Sequence, residues 1–117
     1  MLTFKENQYK QFVRIKLNNF IKNQIDNLRE KQFLKVNNYT DSQLYKILNK
    51  IIEFGMAYNI ESGIELEYLI NLFIKYSIEI ETIYFNESVM EVFNYPDRKS
   101  SDILYNLHNL LEFDNNI

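Results

Sequence analysis

Apolar positions along this chain recur at helical spacing and are broken at a few definite points. Tyr9, Phe12, Val13, Leu17, Phe20, Ile21 and Leu28 predict a first helix several turns long. It opens on Thr3-Phe4-Lys5-Glu6, a capping box in which Thr3 and Glu6 can satisfy each other's backbone N–H. The stretch FLKVNNYT ends the pattern, with Asn37-Asn38 as a turn. A second box, Thr40-Asp41-Ser42-Gln43, starts the next helix, and Tyr39 and Leu44 occupy the positions of a hydrophobic staple. Leu44, Ile47, Leu48, Ile51, Ile52, Gly55 and Tyr58 then share one face.

That face places Gly55 inside a helix on its buried side. A glycine there costs about 1 kcal/mol against alanine, and close approach of another helix is the usual compensation. Asn59 predicts the stop, because asparagine tolerates the left-handed conformation that ends many helices. Ile60 is expected to fold back onto the core. Ser62-Gly63-Ile64-Glu65 forms a third box with Ser62 as N-cap and Gly63 as the first helical residue. Gly55, Tyr58, Asn59, Ser62 and Gly63 therefore mark the corner of an αα-hairpin. The second arm carries Leu66, Leu69, Ile70, Phe73 and Ile74 on one stripe.

After Tyr76 the segment SIEIETIYFN alternates apolar and acidic residues without a pairing partner nearby, which predicts an extended loop near residues 77–86. Asn86 caps a short helix containing Val89, Met90 and Phe93. Tyr95-Pro96 breaks it, and Ile103, Leu104, Leu107, Leu110 and Leu111 define the last helix. The expectation is an all-α, single-domain bundle of four to five helices spanning residues 1–117.

Composition agrees with that class. One Pro and two Gly are too few for a turn-rich β-sandwich, and the absence of Cys removes disulfides and thiolate sites. No apolar run reaches the ~20 residues of a membrane span. The opening MLTFKENQYK has no hydrophobic signal core, so a cytoplasmic location is expected. The net charge of −3 divides unevenly: residues 1–38 hold eight Lys/Arg and three Asp/Glu, residues 39–117 five and thirteen. The cations of the first helix scatter around it, with no aromatic row beside them. This favours a basic helix docked on an acidic body over a nucleic-acid surface.

Little in the chain resembles a reactive site. Gly55 and Gly63 fit neither a dinucleotide fingerprint nor a P-loop. His108 and Glu112 stand at i, i+4, but no third ligand follows at a recognisable spacing, so no metal site is expected. Glu87 with Glu91 and Glu61 with Glu65 are also i, i+4 pairs, yet acidic residues near helix N-termini are ordinary dipole stabilisers. No catalytic residue, cofactor or enzymatic activity is expected. The nine Phe and nine Tyr say more. Phe12, Phe20, Phe54, Tyr58 and Phe73 fit the core, whereas Tyr84, Phe85, Phe93 and Tyr95 lie in or beside the non-helical stretch. Exposed aromatics are frequent interface anchors. Glu79, Glu81, Tyr84, Phe85 and Tyr95 are the expected partner-binding residues.

Three stretches carry a resemblance that runs along nearly the whole chain: MLTFKENQYKQF, AYNIESGIELEYLINLFIKYSIEIE, and the helix after Pro96. Together they resemble a family of small helical bacterial proteins encoded beside type VI secretion effectors, spike proteins and PAAR-type tips. The chain departs from that pattern at Asn59 and Ser77, where the family has Gly. The resemblance implies a non-enzymatic accessory, an adaptor or co-chaperone bound to a secreted effector or its loading protein. An immunity protein that neutralises a cognate toxin is the alternative, since the acidic residues after position 38 suit a basic toxin.

Overall fold

A computed structural model describes the backbone of residues 3–31, 36–94 and 99–115, and the side chains of 16–31, 36–83, 85–94 and 99–113. Among these residues the fold is all-α. It comprises α1 (Thr3–Glu30), α2 (Asp41–Ala57), α3 (Gly63–Lys75), α4 (Glu87–Asn94) and α5 (Ser100–Asn115), with 3-10 segments at Val36–Asn38 and Ile80–Phe85. The α2–α3 hairpin lies at the centre. Helix α1 packs on both of its arms, α5 packs on α3 and α4, and the second 3-10 segment bridges α2 and α4. The buried hydrophobic side chains join all five helices into one cluster.

The predicted breaks are helix termini with their polar groups satisfied locally. Both bonds of the α2 capping box form: Gln43 N–H donates to Thr40 Oγ1 at 3.2 Å, and Thr40 N–H to Gln43 Oε1 at 2.9 Å. The staple is looser than expected, because Leu44 is fully buried while Tyr39 stays 41% exposed. The Thr3–Glu6 box and the side chains of Tyr9 and Phe12 lie outside the described residues.

Helix α2 ends in a Schellman motif, in which two amides past the helix cap its last carbonyls. Ile60 N–H donates to Gly55 O at 2.9 Å and Asn59 N–H to Met56 O at 3.1 Å. Asn59 takes the predicted left-handed conformation at φ 66°, and Ile60 is completely buried. Side chains of α3 press directly onto Gly55. A Cβ there would stand 2.8 Å from Leu69 Cδ2 and 3.2 Å from Leu66 Cδ2. At Gly63 the same atom would meet Phe20 Cε2 at an ordinary 3.7 Å.

The third box forms only in part. Glu65 N–H donates to Ser62 Oγ at 3.2 Å, but the Glu65 carboxylate does not return to the Ser62 amide. It accepts instead from Ser62 Oγ and from Ser100 Oγ, the latter 2.7 and 2.9 Å from its two oxygens. This carboxylate thereby ties the first turn of α3 to the first turn of α5.

The stretch after Tyr76 corrects the expected extended loop. Helix α3 ends in a second Schellman motif, with Ser77 N–H donating to Ile74 O at 3.3 Å and Ile78 N–H to Phe73 O at 2.9 Å. Ser77 adopts φ 59° there. Six residues, Ile80–Phe85, then form a 3-10 helix. The informative spacing was Ile80 to Ile83, one turn of a three-residue helix, which brings both side chains to the core side. Ile83 is buried and Ile80 packs half-buried against the core. Asn86 caps α4 as expected, accepting from Val89 N–H at 3.2 Å. Phe93, one of the loop-side aromatics, belongs to the core. Its ring centroid lies 4.9 Å from Phe54 and 5.2 Å from Tyr58.

At the other end of the hairpin, Arg29 clamps α1 to the start of α2. Its Nε and Nη2 donate to Asp41 Oδ1 at 3.0 and 2.6 Å, and Nη2 also donates to Tyr39 O at 3.0 Å. Lys31 Nζ donates to Asn71 Oδ1 of α3 at 3.0 Å. Both cations thus sit at the C-terminal end of α1, where they face the helix dipole favourably and engage the following elements.

Candidate interaction cleft

Apolar positions that the hairpin does not cover line a cleft of about 510 Å³ between α2, the C-terminal end of α3 and the second 3-10 helix. Leu44, Ile47 and Ile51 of α2 form one wall, and Phe73, Ile74 and Ile80 the other. Leu44, Ile51 and Phe73 are fully buried, whereas Ile47, Ile74, Ile78 and Ile80 are only partly covered. Polar groups stand at the lip. Lys50 Nζ donates to Glu81 Oε1 at 2.6 Å across the cleft, joining α2 to the 3-10 helix. That hydrogen bond, more than the opposite charge itself, holds the Glu81 carboxyl below its ordinary pKa.

Glu79 and Glu81, both predicted partner-binding residues, therefore line the cleft and are exposed. Phe85 lies at the end of the same 3-10 helix with 85% of its surface exposed. The side chain of Tyr84 and the whole of Tyr95 lie outside the described residues. Residues 76–94 contain four Glu and no Lys or Arg. Glu79, Glu81, Glu87 and Glu91 are all exposed, and among the described residues only Glu81 forms an ion pair. Among its described residues the segment thus combines exposed carboxylates with the exposed ring of Phe85.

A second groove, of about 460 Å³, runs along the outer face of α3 beside α5. Here the structure assembles a contact that sequence spacing did not show. Tyr68 Oη lies 2.8 Å from His108 Nδ1, and His108 Nε2 lies 3.1 Å from Glu112 Oε2. With neutral imidazole, Nε2–H donates to the carboxylate and Nδ1 accepts from the phenol. The order hydroxyl–imidazole–carboxylate is that of an activated nucleophile. Here, however, burial first, and then Glu112 and Tyr76, push the Tyr68 phenol up from its ordinary pKa, which keeps the proton on oxygen. The chain of contacts ties α3 to α5. Tyr68 and His108 are 40 residues apart, so no local pattern could have joined them. Among the described residues no group of three or more His, Asp or Glu side chains is placed to hold a metal ion.

Gln24 was also not singled out by sequence. It occupies the buried stripe of α1 between Ile21 and Leu28, is 4% exposed, and its Oε1 has no hydrogen-bond partner among the described residues. Its helical register was visible, but a glutamine at such a position reads as an interruption of the apolar face. No helix among the described residues is long and apolar enough to cross a membrane. Comparison of the chain with protein-family models, curated proteins and solved structures returned no match.

Proposed function

We propose that this chain is a non-enzymatic, protein-binding accessory, an adaptor or co-chaperone, of a type VI secretion effector. Phe85 carries the protein-binding part of this reading: a phenyl ring 85% exposed in a segment with four exposed glutamates. Leaving so much apolar surface in water forgoes the burial that other Phe side chains of this chain achieve, and aromatic anchors are the usual hot spots of interfaces. The link to secretion rests on the sequence resemblance and on Asn59 and Ser77, which take the left-handed conformation where that family has glycine.

Deletion of the gene should lower the level or secretion of the effector encoded beside it, measured by immunoblot of cells and medium. In a pull-down with that effector, Phe85→Ala should weaken capture about tenfold or more while leaving the thermal midpoint within a few degrees. Unchanged effector level and secretion would sink the adaptor reading.

The exposed carboxylates of Glu79, Glu87 and Glu91, which form no ion pair among the described residues, favour one further reading, an immunity protein, since negative charge steers association with a basic toxin. Co-expression separates the two. An immunity protein abolishes the toxicity of the neighbouring effector, whereas an adaptor leaves it intact or raises it.

A further inference from the structure

The cleft between α2 and the second 3-10 helix is open, apolar in its walls and acidic at one lip. We propose that it is the docking groove for a basic segment of a protein partner. An apolar side chain of that segment seats against Ile47, Ile74 and Ile80, and its Lys or Arg residues face Glu79 and Glu81. The proposal rests on the protein-binding reading above and names the chemistry of the partner.

Three observations point to this occupant. Its volume, about 510 Å³, is within the range of ligand clefts. Its polar lining residues, Asn38, Tyr39, Lys50, Ser77, Glu79 and Glu81, are all exposed and so belong to the rim rather than to the apolar floor, and Lys50 is already engaged by Glu81. An apolar trough with a charged rim is the form that amphipathic segments use. The sign of the charge follows from the rim. Glu79 and Glu81 stand there against a single cation, Lys50, which Glu81 already engages, and Glu79 forms no ion pair among the described residues. The Lys50–Glu81 pair is half-exposed on both sides, at 52% and 62%. An incoming guanidinium can therefore share Glu81 without leaving a charge buried and unpaired.

A library of random peptides about 12 residues long, displayed on phage and selected on the full chain, tests the groove. Enriched peptides should carry a bulky apolar residue flanked by two or more Lys or Arg. Fluorescence anisotropy of a labelled winner should show about tenfold weaker binding to Glu79→Lys/Glu81→Lys and to Ile74→Asp, and weaker binding as salt is raised. Because Ile74→Asp risks unfolding, circular dichroism accompanies it, and the exposed charge-reversal variant decides alone if that protein is unfolded. Failure to enrich any peptide, enrichment of neutral or acidic ones, or binding that ignores the charge reversal overturns the proposal. So does a concentration-dependent dimer in sedimentation equilibrium that the charge reversal abolishes, since it would give the groove to a second copy of this chain. The two readings can fail separately. If the effector still binds the groove variants but not Phe85→Ala, the groove is wrong and the accessory role stands. If peptides select the groove while deletion leaves secretion unchanged, the accessory role is wrong.

Discussion

The two ends of the central hairpin's arms are built alike and finish differently. Helix α2 stops at Asn59 and α3 stops at Ser77, each left-handed, and each followed by an isoleucine whose amide caps a carbonyl five residues back. The first corner is sealed. Gly55 lets Leu66 and Leu69 press onto the backbone of α2, and Ile60 is fully buried. The second opens onto the cleft, where Ile74, Ile78 and Ile80 are only partly covered. One backbone device thus serves both a closed packing joint and an exposed apolar surface. The difference lies in what the neighbouring element brings: at the first corner a glycine opposite two leucines, at the second a short 3-10 helix bearing Glu81 and preceded by Glu79.

The most direct way to break the sealed corner is to fill Gly55. Gly55→Val should destabilise the protein by about 3 kcal/mol in chemical denaturation, because its branches overpack Leu66 and Leu69 beyond what the flexible ends can absorb. The two left-handed residues sharpen the comparison. Ser77→Gly should stabilise by about 1 kcal/mol, since serine gains little from the left-handed region that glycine enters freely. Asn59→Gly should gain only about half as much, because asparagine already tolerates that conformation. The second glycine should respond in the opposite sense to the first. Gly63→Ala should stabilise by about 0.5 kcal/mol, as its backbone is not left-handed and the added methyl meets only Phe20 at an ordinary distance.

The smallest effect belongs to the rim of the open corner. Glu81 has a folded pKa lowered from its ordinary 4.5 by the Lys50 hydrogen bond. Its contribution to stability is therefore present above that ordinary value and lost as pH falls through the lower folded value. Both partners are exposed, so Glu81→Gln should cost only a few tenths of a kcal/mol near neutrality. The difference between wild type and variant should disappear in denaturation at strongly acid pH.

Local rules read well wherever a few neighbouring residues complete the physics. Thr40 with Gln43, Asn59 with Ile60, and Asn86 with Val89 each satisfy backbone groups within a span shorter than two turns, so their roles were legible in order along the chain. The register of Leu44, Leu48, Ile51 and Gly55 implied a neighbour over the glycine for the same reason. The segment 77–86 was harder. Its alternating Ile and Glu suggested extended backbone, and the Ile80–Ile83 spacing that marks a 3-10 turn was too short a signal against it. Of the candidate site, Phe85, Glu79 and Glu81 were singled out as partner-binding residues from their place off the long helices, but which of the loop-side aromatics stay exposed was not legible, and Phe93 is core. The cleft beneath them was not.

What the amino-acid sequence determined by itself was the set of five α-helices, the caps at Thr40, Ser62 and Asn86 and the left-handed stop at Asn59, because these depend on bonds closed within a turn or two. Tertiary structure alone decided which surfaces remained open. Leu69 over Gly55, Ser100 on Glu65, Tyr68 on His108 and Lys50 across to Glu81 join residues from 14 to 40 positions apart. Each such meeting depends on how whole helices pack, and helix packing is set by the summed fit of many side chains rather than by any one short motif.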